Sequence, residues 1–226
     1  MEVKVRYKEK EIKAKKEEIH TLLKKTNKIW NSCNCSSSNK IGSLVNLLKE
    51  SKCKTYNEWE EHFFDKLDGA NKILSMYKSF YKYIKDNNIE CSKQNIIDLI
   101  IIRTIYETWI GSKEEDVVEE WLLNQEEVSQ VRHSNNIEDF ENGIDFVVFL
   151  KNNNVIGVQS KPMSFFNDCT FGDNSKAKVL LKKMRKFNCL DIFIVMMDGD
   201  RVTNFTQSQW NRYKQYWLKG ERKHVV

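Results

Sequence analysis

The chain has 226 residues, of which 40% are hydrophobic and 31% charged, and its formal net charge is +5. That length can bury a sizeable core, and no apolar run approaches the roughly eighteen residues that a membrane-spanning helix needs. The N-terminal sequence MEVKVRYKEKEI lacks the apolar region of a secretory signal. We therefore expect a cytoplasmic protein with no membrane partner.

The charge and the cysteines limit the partners and metals only loosely. A net charge of +5 permits a polyanionic partner without requiring one. The six cysteines are irregularly spaced, so we expect free thiols in a reducing compartment. Cys33, Cys35, Cys53 and His62 form a weak zinc pattern, and because no second cysteine pair completes it, we expect no zinc.

The first half of the chain predicts a series of helices. Its apolar residues recur at helical spacing between Lys- and Glu-rich stretches. Thr55 and Glu58 have the spacing of a capping box, and Gly111 with Ser112 is predicted to end one helix and begin the next. The predicted helices cover residues 8–30, 43–50, 56–67, 70–86, 95–110 and 114–123.

The pattern changes near residue 125, where short apolar strands replace the long helices. From residue 114 the predicted order is α-β-β-β-α-β, which is typical of an α/β (α+β) fold with a central mixed sheet flanked by helices. We divide the chain into a mainly helical region at 1–112 and a core at 113–226, and expect one integrated body. The predicted strands are 127–134, 143–150, 154–161 and 189–197, and the predicted helices are 174–187 and 207–220.

The most informative stretch is GIDFVVFLKNNNVIGVQSKP at residues 143–162, which predicts a β-hairpin centred near Asn153. In that register Asp145 lies opposite Lys161, and Val147 lies opposite Gln159. Because side chains alternate between faces, Asp145, Gln159 and Lys161 share one face. The other face is apolar and predicted to be core, with Phe146, Val148, Leu150, Ile156 and Val158.

A carboxylate, an amide oxygen and an amine at one end of a sheet suit a metal-dependent phosphodiesterase site. Mg²⁺ prefers oxygen ligands, which Asp145, the Ser160 backbone carbonyl and Gln159 can supply. Lys161 can orient or help deprotonate the attacking water, or balance charge on the phosphate. The alternative is that Asp145 is an ordinary residue at a strand entry and that Gln159 and Lys161 lie on an exposed strand face.

Ile144-Asp145 followed by Gln159-Ser160-Lys161 resembles the motif of the PD-(D/E)xK nuclease superfamily, and the α-β-β-β-α-β order resembles its core. The resemblance implies a restriction-endonuclease-like fold and a Mg²⁺ cofactor, with Mn²⁺ as a substitute. Gln159 departs from the usual Glu or Asp, so a second carboxylate is expected from the helix before the sheet. Glu115 is the first choice and Glu119 the next, unless both belong to a solvated acidic face.

A narrower resemblance joins KIGSLVNLLKES, TYNEWEEHFF, TWIGSKEEDVVEEWL, NGIDFVVF and IGVQSKPMSFF. In this order these segments resemble the MjaI-type type II restriction endonucleases. The resemblance implies a homodimer that cuts a short palindrome, such as CTAG, in double-stranded DNA. It also implies a cognate DNA methyltransferase in the same system, though not as a bound partner.

Several residues are candidates for DNA contacts, because phosphate contacts give affinity and base contacts give sequence specificity. Each has a plainer interpretation, either as a solvated helix face or as a turn residue. Two other functions also stay open: a PD-(D/E)xK nuclease of repair, junction resolution or transposition, and a non-enzymatic DNA-binding protein. The candidate residues are Lys176, Lys182 and Lys183 in the basic helix, and Arg132, His133, Asn135 and Asn136 after the first strand.

Overall fold

The computed structural model describes residues 4–32, 44–163, 165 and 176–222. The chain divides into two compact units, Met1–Ser112 and Lys113–Val226. Within the described residues, no helix combines the length and apolarity needed to cross a bilayer.

The first unit is helical, and its helices pack around a core rich in aromatic residues. Trp59, Phe63, Met76 and Phe80 are all fully buried there. The helices are α1 (Glu9–Glu18), α2 (His20–Ser32), α3 (Leu44–Ser51), α4 (Tyr56–Lys66), α5 (Gly69–Asp86) and α6 (Lys93–Ile101), followed by a π-helical turn (Ile102–Tyr106) and by α7 (Glu107–Leu123).

Helix α4 begins as its sequence predicts. The Glu58 amide donates to Thr55 Oγ1 at 3.2 Å, and the Thr55 amide donates to Glu58 Oε2 at 3.3 Å. The capping box satisfies two backbone donors that a helix N-terminus otherwise leaves without a partner.

Two helix boundaries were predicted wrongly. The single helix predicted over residues 8–30 is interrupted at Ile19, which the continuing apolar periodicity did not show. Gly111 does not end a helix either, because α7 runs through it, and Ser112 is buried within that helix. An interior glycine costs a helix only about 1 kcal/mol, less than the burial of one Val or Leu side chain contributes.

The second unit contains a five-stranded mixed sheet in the order β1-β2-β3-β4-β5. Strands β3 and β4 run parallel and the other neighbouring pairs are antiparallel, so the predicted α+β fold with a mixed sheet is confirmed. The short elements α8 and β5 were not predicted. In chain order the elements are β1 (Val128–His133), α8 (Asn136–Asn142), β2 (Phe146–Leu150), β3 (Val155–Pro162), α9 (Lys176–Met184), β4 (Asp191–Asp198), β5 (Arg201–Val202) and α10 (Asn204–Leu218).

Both faces of this sheet are covered. On one face, Val118 and Leu122 of α7 and Trp210 and Trp217 of α10 pack in one cluster with the sheet. On the other face, Met184 of α9 packs in a second cluster with residues of β2, of β4 and of the segment before β2. The predicted core residues Phe146, Val148, Leu150, Ile156 and Val158 all belong to the first cluster, and Ile144, Val147 and Ile192 belong to the second.

The register of the β2–β3 hairpin differs from the prediction by two residues. Val147 lies opposite Gly157 rather than Gln159, and Phe146 lies opposite Val158. The turn is tighter than expected because Asn153 adopts the left-handed conformation (φ 67°) and the Leu150 amide donates to the Asn154 carbonyl at 2.8 Å. A shift of two residues keeps every side chain on its predicted face.

Candidate active site at the end of the β2–β3 hairpin

Asp145 lies directly before β2, between β1 and β3. Its amide donates to the Val158 carbonyl at 2.8 Å, and its carbonyl accepts from the Ser134 amide at 2.9 Å. Gly143, which ends α8 in the left-handed conformation (φ 64°), directs the chain into this position. The backbone of Asp145 is therefore fixed on both sides.

One oxygen of the Asp145 carboxylate is held by three donors. Oδ2 accepts from the Ser160 amide at 2.8 Å, from Ser160 Oγ at 3.0 Å, and from Gln159 Nε2. Oδ1 accepts no hydrogen bond from the part of the chain that the structure describes, which leaves it open to a ligand. The geometry thus brings Asp145 and Gln159 together as expected, and adds the Ser160 hydroxyl, which the sequence analysis missed.

The Gln159 amide presents its nitrogen to Asp145. Nε2 also lies 3.3 Å from the Ser160 carbonyl oxygen, and the residue is only 4% exposed. In this orientation Gln159 acts as a hydrogen-bond donor to the carboxylate. Rotation of the terminal amide exchanges its nitrogen and oxygen, so Gln159 can ligate a metal only after such a rotation.

Lys161 follows on β3, opposite Met196 of β4, and is partly exposed. Within the described residues its amine forms no hydrogen bond or ion pair, so the structure does not join it to Asp145. Parity along β3 places it on the same face as Gln159.

The oxygen donors at this end of the sheet fit a hard divalent cation. Mg²⁺ usually takes one or two carboxylates from the protein and keeps several waters. Asp145 Oδ1 and the Ser160 carbonyl are suitable donors, and the Gln159 amide oxygen is a third after rotation. Among residues 4–32, 44–163, 165 and 176–222, no three His, Cys, Asp or Glu side chains are grouped as a metal site.

The carboxylates of Glu115 and Glu119 both lie close to the ring nitrogens of His133. Glu119 Oε2 is 3.1 Å from His133 Nε2, and Glu115 Oε2 is 3.8 Å from Nδ1. The His133 ring packs against Phe146, with centroids 4.8 Å apart, and His133 is paired with Phe146 across β1 and β2. This acidic cluster therefore lies beside the residue that follows Asp145, on the face that α7 covers, whereas Asp145 and Gln159 lie on the opposite face, beside α9. The structure does not bring Glu115 or Glu119 together with Asp145.

Arg132 and Asn135, both candidates for DNA contacts, are engaged with α8. Two nitrogens of Arg132 donate to Glu138 at 2.8 and 2.9 Å, and this pairing lowers the pKa of the Glu138 carboxyl. Asn135 Oδ1 accepts from the amides of Ile137 and Glu138, each at 3.0 Å, and so caps the helix. The side chain of Asn136 lies outside the described residues.

The basic helix α9 presents its lysines differently. Lys182 is exposed, whereas Lys183 Nζ lies 3.4 Å from the Asp139 carbonyl and so contacts α8. The side chain of Lys176 lies outside the described residues. Of the three candidate lysines, Lys182 is therefore the one whose described side chain is exposed.

The cysteines that the structure describes, Cys53, Cys91 and Cys189, are free thiols as predicted. Burial raises the pKa of the Cys189 thiol, which keeps it protonated and unreactive. Cys33 and Cys35, on which the weak zinc pattern depends, lie outside the described residues.

Comparison with known proteins identifies the family. The model of the MjaI restriction endonuclease family matches residues 20–190, about three quarters of the chain. The chain belongs to the MjaI restriction endonuclease family. It is thus a member of a nuclease family, as the resemblance of its motifs implied. The matched range contains Glu115, Asp145, Ser160 and Lys161. No curated protein and no solved structure matched the chain.

Proposed function

We propose that this member of the MjaI family is a type II restriction endonuclease that hydrolyses phosphodiester bonds at a short palindrome in duplex DNA. The observation that carries the proposal is the Asp145 carboxylate, held through Oδ2 with Oδ1 open, inside the range matched to the family. One fixed acidic oxygen at a sheet end is a suitable start for a Mg²⁺ site.

Each residue of the site has a proposed role. Asp145, the Ser160 carbonyl and Gln159, after rotation of its amide, would hold Mg²⁺ or Mn²⁺. Glu115, at the same end of the sheet but on the α7 face, would supply the compensating carboxylate. A cation held there would supply a water of lowered pKa and would neutralise charge on the phosphate. Lys161 orients that water or balances the developing charge.

The same proposal covers the partners. A palindromic site calls for a two-fold homodimer with one active site for each DNA strand. We assign dimerisation and DNA-binding support to residues 1–112 and catalysis to residues 113–226, in one integrated cytoplasmic protein. CTAG is the first site to test, and a cognate methyltransferase completes the system without binding the nuclease.

The test is cleavage of plasmid and genomic DNA by the purified protein, with Mg²⁺ or with EDTA, followed by sequencing of the ends. Mg²⁺-dependent ends at one palindrome support the proposal. Cleavage of branched or unspecific DNA would instead favour a repair, junction-resolving or transposition nuclease. Binding of varied DNA without cleavage in any metal would indicate a non-enzymatic DNA-binding protein.

A further inference from the structure

Ser160 occupies the middle position of the Gln159-Ser160-Lys161 segment, and the proposed function uses only its backbone carbonyl. Its amide and its hydroxyl both donate to the same oxygen, Asp145 Oδ2, at 2.8 and 3.0 Å. We propose that Ser160 is a positioning residue whose hydroxyl fixes the orientation of the Asp145 carboxylate for metal binding. This inference rests on the proposed function.

The Ser160 amide has no backbone partner in β2, because β2 begins only at Phe146. The ladder between β2 and β3 ends at the pair of Phe146 and Val158, so Ser160 lies two residues beyond it. A strand amide without a ladder partner needs another acceptor. The Asp145 carboxylate supplies that acceptor, so a side chain takes the place of the missing strand partner.

The hydroxyl adds direction to this contact. A carboxylate held by one donor can still turn about its last torsion, which is broad, whereas donors from the amide and the hydroxyl of one residue restrict that turn. Oδ2 therefore faces Ser160, and Oδ1 remains available to a metal ion. Hydrogen bonds to a charged group are also stronger than those between neutral groups.

Gln159 cannot replace Ser160 in this task when a metal is bound. Its Nε2 donates to Asp145 in the present structure, and that contact is lost when the amide rotates to present its oxygen. The two Ser160 donors require no such change. Ser160 therefore holds Asp145 in the same orientation with and without the cation.

The test compares Ser160→Thr with Ser160→Val, which have the same outline but differ by a hydroxyl in place of a methyl group. Both residues suit a strand. Mn²⁺ alone is titrated into the full-length protein and its dissociation constant is measured by electron paramagnetic resonance. Ser160→Ala repeats the comparison without added volume, and Ser129→Ala, which removes a hydroxyl bonded to the Phe149 carbonyl, is the matched control.

Ser160→Thr and Ser129→Ala are expected to bind Mn²⁺ as the native protein does, whereas Ser160→Val and Ser160→Ala bind about tenfold more weakly, the order expected for one hydrogen bond to a charged group. Thermal unfolding without metal separates this effect from a general loss of stability. Asp145→Asn serves as the reference for the site itself. If Asp145→Asn binds Mn²⁺ like the native protein, the metal site of the proposed function is wrong. If Asp145→Asn loses binding but Ser160→Val and Ser160→Ala keep native affinity, the role of Ser160 is overturned and the site stands.

Discussion

The Gln159 side-chain amide donates a hydrogen bond to Asp145 Oδ2 at the end of the β2–β3 hairpin. A glutamate at this position cannot donate that bond, because an ionised carboxylate only accepts. The amide therefore lets a largely buried side chain approach the aspartate without a repulsive pair of charges. The same amide leaves the proposed metal site one negative charge short.

Gln159→Glu is the first prediction. Without metal, the substitution replaces a hydrogen bond by two adjacent carboxylates, and the free energy of unfolding is expected to fall by roughly 1–3 kcal/mol. Saturating Mg²⁺ is expected to recover much of that loss, and cleavage is expected to persist or to shift its metal preference. Denaturant unfolding with and without Mg²⁺ measures both effects.

The matched control is Gln130→Glu, which alters an exposed glutamine of β1 in the same sheet. It is expected to change neither stability nor metal preference. A Gln159→Glu protein that is as stable as the native one, fully active and indifferent to the metal would argue against a ligand role for Gln159.

The second prediction concerns the Arg132–Glu138 pair. Because the folded pKa of Glu138 is lowered, chiefly by the hydrogen bond from Arg132, its stabilisation is complete above its unfolded pKa and is lost as pH falls through the folded value. Glu138→Gln is therefore expected to reduce the free energy of unfolding at pH 7 by about 1 kcal/mol or less, since Arg132 is 41% exposed. The difference from the native protein is expected to shrink as pH falls below about 4.

Urea unfolding at neutral and acidic pH checks this dependence. Glu141→Gln, also on α8, is the control and is expected to show no such pH-dependent difference. An unchanged gap between native and Glu138→Gln proteins across the whole pH range would refute the assignment.

The third prediction tests which carboxylate completes the site. Glu115→Gln is expected to weaken Mn²⁺ binding and to slow cleavage at limiting Mg²⁺, because it removes a negative charge near the Asp145 end of β2. Glu120→Gln changes an exposed carboxylate of the same helix and is expected to leave both unchanged. Full activity of Glu115→Gln at low Mg²⁺, with a defect in Glu119→Gln, would transfer the role to Glu119.

The fourth prediction concerns electrostatic contacts with DNA. Lys182→Ala is expected to weaken binding similarly across DNA sequences and to reduce the slope of log affinity against log salt by about 1. Binding titrations at several salt concentrations measure the slope. Lys151→Ala, at the turn between β2 and β3 and hence at the other end of the strand from Asp145, is the control. Equal slopes for native and Lys182→Ala proteins would remove Lys182 from the interface.

The hairpin shows what periodicity can and cannot predict. Alternation assigned Phe146, Val148 and Ile156 to the core face, because that assignment depends only on parity. The register depended on the geometry of the turn. The sequence does not show which of three consecutive asparagines adopts the left-handed conformation, and in the structure it is Asn153. Ser160 was overlooked as a donor for the same reason, since the predicted register placed Asp145 opposite Lys161.

Short elements were missed for a different reason. Helix α8 has only seven residues, too few to establish a helical period, although Asn135 and Glu138 have capping-box spacing that marks its start. The contact of Glu115 with His133 could not be predicted either, because it depends on tertiary structure. Sequence reasoning placed Glu115 on the helix before the sheet, but only the folded chain shows that His133 lies between it and the end of β2.

Asp145 is proposed to hold the cation that activates the water for DNA cleavage. The most direct measurement is the Mg²⁺-dependent cleavage rate of Asp145→Asn, with DNA binding measured in the same preparation. Asp200→Asn, which changes an exposed aspartate in the turn after β4, is the control. If Asp145 holds the cation, Asp145→Asn is expected to bind DNA but to cleave it about a thousandfold more slowly or worse, corresponding to several kcal/mol of lost metal stabilisation. Cleavage by Asp145→Asn at the rate of the native and Asp200→Asn proteins would contradict it.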